Sequence, residues 1–91
     1  MNIEWGESKR RRNLNKHGFD FADAPIVFAG DIVTVEDDRW EYGETRFITI
    51  GLLNGRAVVI VHTETDQVIH LISMRKATRN EERNYFQSIG H

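Results

Sequence analysis

Lys9, Asn13, Lys16 and His17 fall at i, i+4, i+7 and i+8. A helix through them carries one polar, cationic face. That face borders a site for an anion, or it is simply solvated; the spacing fits both readings. Glu44 and Arg46 stand two apart, on one side of a strand. They are placed to act on a substrate, or merely to pair with each other. Arg75 and Lys76 close a β-rich run, as site residues or as surface charge before a helix. His62 lies inside an apolar run and reads as a satisfied core residue. Tyr85 reads as half-buried packing more readily than as a proton donor. Trp40 and Tyr42 sit in an acidic stretch, suited to stacking on a base or to contact with a partner. No metal or other cofactor is expected: there is no cysteine, and the four histidines form no close H-x-x-x-H motif.

The elements that must position these residues are organised around residues 45–75, where three β-rich runs follow one another. Asn54-Gly55 separates the first two, and both residues tolerate the positive φ of a type I′ hairpin turn. The polar stretch 64–67 is short enough to close a second hairpin. Alternation puts Arg46, Ile48 and Ile50 on one face of their strand, with Phe47 and Thr49 on the other. On the last strand, strict alternation puts His70, Ile72 and Met74 on one side and Leu71, Ser73 and Arg75 on the other.

Before this meander, residues 1–5 alternate as a short edge strand would. A helix is predicted over Glu7–His17, ended by Gly18, with Lys16 and His17 suiting its C-terminal dipole. Its one large apolar residue is Leu14, too little for an ordinary buried stripe. A second helix starts near Asp20 or Asp23; the later start places Pro25 in the first turn. Ile26, Val27 and Phe28 then pack inward. Residues 32–36 read as a strand, and 36–44 as an acidic loop. Thr78 and Glu81 form a capping box that opens a helix over Arg79–Ser88. The expectation is an α+β fold of order β-α-α-β-β-β-β-α, one domain over residues 1–91, with helices packed on one face of the sheet.

Net charge is −2, unevenly spread. Residues 1–19 carry five basic and two acidic groups, residues 20–44 one and eight, and residues 45–91 six and four. A uniformly basic nucleic-acid binder is excluded; a basic and an acidic surface on one molecule are not. The acidic segment favours a basic partner. The longest apolar run, 57–61, is far short of the ~20 residues that span a bilayer. No secretory signal is visible, so a cytoplasmic protein is expected.

Several short signatures occur in order: Glu4-Trp5, Lys9 with Asn13, Lys16-His17-Gly18, Phe21 with Ala24 and Phe28, Tyr42-Gly43-Glu44 with Arg46, Ile50-Gly51, the run from Ile72 through Ser73, Met74, Arg75 and Lys76 to Ala77, and Glu82-Arg83 with Tyr85. At these spacings the chain resembles the BrnT family of bacterial toxins, over residues 3–86. The resemblance implies a RelE-like fold. It also implies a metal-independent ribonuclease that stops translation, and a BrnA-like antitoxin of ribbon-helix-helix type. Operator DNA would be bound only through the antitoxin. Gly6 and His70 stand where the family usually carries aspartate and arginine, and His62 where an aromatic residue is common, so the implied basic site is weaker here.

Metal-free RNA cleavage needs a group to take the 2′-hydroxyl proton, another to protonate the departing 5′-oxygen, and cations to stabilise charge on phosphorus. With the resemblance, Arg46 and Arg75 are expected to reach the phosphate. Glu44 is a candidate base and His17 a candidate acid. Lys9, Lys16 and Lys76 would guide the RNA backbone, and His70 would take the place of the family's arginine. A protein-binding module with weak or lost catalysis is the competing reading.

Overall fold

A computed structural model describes residues 2–39, 41 and 43–90; Trp40 and Tyr42, with their expected base or partner contacts, lie outside the described residues. The elements run β1 (Asn2–Glu4), α1 (Glu7–His17), a 3-10 turn (Phe21–Asp23), α2 (Ala24–Ala29), β2 (Val33–Asp37), β3 (Arg46–Leu53), β4 (Arg56–Thr65), β5 (Val68–Lys76) and α3 (Arg79–Ser88). The expected mixed α+β order holds, with the 3-10 turn added before α2. Asp20 caps that turn, its carboxylate accepting from the Ala22 amide at 2.9 Å. Pro25 sits in the first turn of α2, where no helical hydrogen bond is lost.

The sheet order is β1-β5-β4-β3-β2. Strands β2 to β5 form an antiparallel meander, whereas β1 pairs parallel to β5. The sheet is therefore mixed, not wholly antiparallel. The parallel direction lets the chain leave β1 straight into α1. Asn54 (φ 51°) and Gly55 (φ 80°) close the first hairpin as their types demand. Asp66 and Gln67, at φ 48° and 66°, close the second.

Helices cover both faces of the sheet, not one. Phe19, Phe21, Ala24 and Val27 pack on Leu53, Val58, Ile60, Ile69, Leu71 and Met74. On the other face, Ala57, Val59 and Ala77 pack with Ile48, Ile50 and Leu52. There α3 lies over Val33, Val35, Ile48 and Ile50. The cause lies in β4: Ala57, Val58, Val59 and Ile60 are all buried, and successive residues face opposite ways. A strand apolar on both sides needs cover on both. Ile26, expected to pack inward, is 57% exposed, while Val27 and Ala24 are fully buried. The six residues of α2 make fewer than two turns, so only one side of it touches the sheet.

A β-bulge interrupts the β4–β5 pairing: Val61 faces Ser73, but His62 faces Leu71. Ile72 is the extra residue. Strict alternation fails here, because an inserted residue shifts the pleat by one. Leu71 and Met74 both reach the α1 side, and His70, Ser73 and Arg75 share the opposite face with Thr63, Val61 and Val59.

The α1 helix attaches by polar contacts. Leu14 is 39% exposed, and Asn13 is the buried residue. The Asn13 Nδ2 donates to the carbonyls of Met74 (2.9 Å) and Phe19 (3.0 Å), and its Oδ1 accepts from the Met74 amide (3.0 Å). One side chain thus supplies both hydrogen bonds that a neighbouring strand would give Met74. Arg10 adds a fork onto Asp20, at 2.7 and 2.9 Å, which holds the Asp20 carboxyl below its usual range.

Gly51 brings β3 against α2. A Cβ there would lie 2.7 Å from Val27 Cγ1 and 3.0 Å from Ile32 Cγ2. Val27 is β-branched and fully buried, so it has little freedom to yield. Gly51→Ala is expected to destabilise by about 1–3 kcal/mol, read as a lower urea midpoint at unchanged slope.

His62 is buried, as its surroundings suggested, but only half satisfied, since its Nδ1 has no hydrogen-bond partner among the described residues. Its Nε2 lies 2.7 Å from Thr49 Oγ1, which lies 2.7 Å from Thr34 Oγ1. The ring stacks on Phe47 at 5.8 Å and meets Phe28 edge-on at 5.4 Å. Burial pushes its pKa below the ordinary 6.5; the Glu64 carboxylate, 3.6 Å from Nδ1, opposes this. A depressed folded-state pKa gives stability that is present above 6.5 and is lost as pH falls through the folded value. Unfolding free energy should fall as pH drops below about 6.5, by at most about 1.4 kcal/mol per pH unit. In His62→Gln that part of the slope should vanish; an unchanged slope would assign it elsewhere.

Candidate nucleic-acid interface

β1 covers β5 only from Val68 to His70. Along the rest of that edge lies α1, tied down at Met74 by Asn13. Between helix and strand run two cavities that share Lys9 and Arg12. One, of about 550 Å³, is lined by Glu4, Trp5, Lys9, Arg12 and His70. The other, of about 320 Å³, is lined by Lys9, Arg12, Lys16, His17, Ile72 and Ser73. Together they form one groove.

Four of the expected site residues meet here: Lys9, Lys16, His17 and His70. Sequence reasoning passed over Arg12. Its signal was present, since 9, 12 and 16 fall at i, i+3 and i+7 on one helix face. Among the described residues no carboxylate forms an ion pair with Lys9, Arg12 or Lys16. Their charge is open to a ligand, and cations lining a groove focus the field on an anion. Glu4 is the groove's carboxylate, and it faces His70 across the β1–β5 pair.

Arg75 lies further along β5, on the same face as His70 and Ser73. Its guanidinium grips Glu81 at 2.8 and 2.9 Å and also donates to the Lys76 carbonyl at 3.2 Å. Glu81 belongs as well to the capping box of α3 with Thr78. The Arg75 hydrogen bond is the main reason its carboxyl is held down at about 2. In turn Glu81 raises the Arg75 pKa, while the like charge of Arg39 works against it.

Arg46 shares that sheet face with Ile48 and Ile50. Two strands across and about four residues along, its Cα stands about 16 Å from that of Arg75 by sheet spacing. Its Nε lies 3.9 Å from Glu44 Oε1. Glu44 lines an acidic cavity with Glu36, Asp37, Asp38 and Glu41, which shares no residue with the groove. Lys76 is exposed, level with Val58 and so on the opposite face. The structure gathers the α1 cations along one groove, with His70 in one of its cavities and His17 in the other; it does not bring Glu44, Arg46, Arg75 or Lys76 into either.

Among the described residues no three His, Cys, Asp or Glu side chains gather as metal ligands, and no helix is long and apolar enough to cross a membrane. No curated protein matches the chain. The model of one family, described as the ribonuclease toxin BrnT of a type II toxin–antitoxin system, matches residues 5–81, and the chain belongs to that family.

Proposed function

We propose that this protein is an endoribonuclease toxin that cuts RNA without a metal in the groove between α1 and β5. A RelE-like fold and a BrnA-like antitoxin, which binds operator DNA for the pair, belong to the same reading. The observation that carries it is the convergence of Lys9, Arg12, Lys16, His17 and His70 on one open groove, from elements more than fifty residues apart in sequence. The lysines and Arg12 hold the phosphate backbone. His17 protonates the departing 5′-oxygen. His70, beside Glu4, takes the 2′-hydroxyl proton; this replaces Glu44, which lines another cavity. Arg75 lies along β5 outside both cavities and is paired with Glu81, so it stabilises charge on phosphorus only on leaving that pair. Arg46, steadied by Glu44, and Lys76 hold flanking phosphates.

The test is cutting of RNA by antitoxin-free protein in EDTA. Arg75→Ala should lower kcat by on the order of 10²-fold, whereas Arg46→Ala should mainly raise KM. Equal loss of kcat in both would move the site to the middle of the sheet. The bidentate Arg75–Glu81 pair favours a second reading, a protein-binding module without catalysis. Wild-type protein that cuts nothing and is harmless on expression would establish that reading instead.

A further inference from the structure

The two edges of the sheet are treated differently. On one side β1 and the Asn13 amide close the edge of β5. On the other, β2 pairs with β3 and, among the described residues, with no strand on its outer side. Open edges are usually blunted by lysine, proline or a bulge. β2 reads Val-Thr-Val-Glu-Asp in unbroken register with β3 and has none of these.

Beside this edge runs an apolar groove of about 250 Å³, between Val33, Val35, Ile48 and Ile50 of the sheet and Tyr85 of α3. Val35 is 55% exposed. The Tyr85 hydroxyl donates to the Asp31 carbonyl at 2.7 Å, which fixes that wall to the start of the strand. Acidic groups predominate around the edge: Asp31, Glu36, Asp38, Glu41 and Glu44 are all exposed. The basic residue in this stretch, Arg39, is held on Asp37 at 2.8 and 3.0 Å.

We infer that an extended, basic segment of the antitoxin adds to β2 as a further strand. This rests on the toxin–antitoxin membership of the chain and not on its catalysis. Backbone hydrogen bonds along the edge supply affinity, and alternate side chains supply choice. The partner's apolar residues lie beside Val33 and Val35 and enter the groove. Its lysines or arginines point the other way, beside Thr34 and Glu36, with further acids at both ends. A second copy of this chain fits less well, because it sets two acidic edges side by side, and like charges across a strand pair repel.

The probe is a short labelled peptide alternating valine with lysine, followed by fluorescence anisotropy. It should bind about tenfold or more tightly than a scrambled peptide of the same composition, and a version with glutamate for lysine should not bind. Amides of residues 33–37 should gain exchange protection. Val35→Lys, at an exposed position, should keep the circular dichroism spectrum and cut affinity about tenfold or more. Equal binding by the scrambled peptide or by Val35→Lys overturns the inference. So does a doubled sedimentation mass that Val35→Lys abolishes, since a second copy then holds the edge. Val35→Lys should cut RNA at the wild-type rate, so a failed docking surface and a failed nuclease give separate results.

Discussion

His17→Ala should slow RNA cutting by on the order of 10²–10⁴-fold, the usual contribution of a general acid. His17 ends α1, where the backbone turns at Gly18 with φ 77° and the Gly18 amide closes onto the Leu14 carbonyl at 2.9 Å. That stop fixes where the imidazole enters the groove, beside Lys16 and Ser73. Loss of the side chain removes one imidazole from a helix C-terminus, which costs at most about 1 kcal/mol of stability, so folding survives. The informative control is the leaving group. With a nucleoside phosphodiester that expels a nitrophenolate, the departing oxygen needs no proton. The deficit of His17→Ala should then shrink to roughly tenfold or less. An equal deficit on both substrates would make His17 a phosphate contact rather than an acid.

Asn13→Ala is expected to be the most damaging single truncation for stability, at about 3–5 kcal/mol, because it strands three buried backbone groups that each cost about 1–3 kcal/mol unpaired. Those groups are the Met74 amide, the Met74 carbonyl and the Phe19 carbonyl. The separation between Asn13 and Met74 is 61 residues, so the loss also unties α1 from the sheet. Asn13→Asp sharpens the test. It keeps the acceptor for the Met74 amide but sets a carboxylate against two carbonyl oxygens, so it should destabilise at least as much as alanine. Denaturant melts of the two variants decide the matter, and a wild-type midpoint for Asn13→Asp would refute the amide-bridge role.

The parts of the fold that were legible in the sequence are those fixed within a few residues. Gly18, Asn54-Gly55 and the Thr78–Glu81 capping box each act through local backbone geometry, and each ends or starts an element as expected. What escaped depended on distant partners. The bulge at Ile72 is invisible locally, because a run such as Val-Ile-His-Leu-Ile-Ser alternates equally well without it. Yet it puts His70 and Arg75 on the same side. The placement of α3 on the second face could have been read from the unbroken apolar run 57–61, which leaves no solvent side to β4. For the candidate site, the cationic period of α1 was plain, whereas its meeting with His70 needed the parallel β1–β5 pairing. Glu44 and Arg46 showed the reverse: local spacing brought them together, but nothing local revealed that Glu44 would line a separate, acidic cavity.

The parallel union of β1 with β5 has a consequence for synthesis on the ribosome. One wall of the groove is made early, from α1 (Glu7–His17), and the other only with β5 (Val68–Lys76). Until that last strand leaves the exit tunnel, the basic helix has no edge to lie against and Asn13 has no Met74 to bind. A nascent or prematurely terminated chain that lacks β5 therefore carries the cations without the groove.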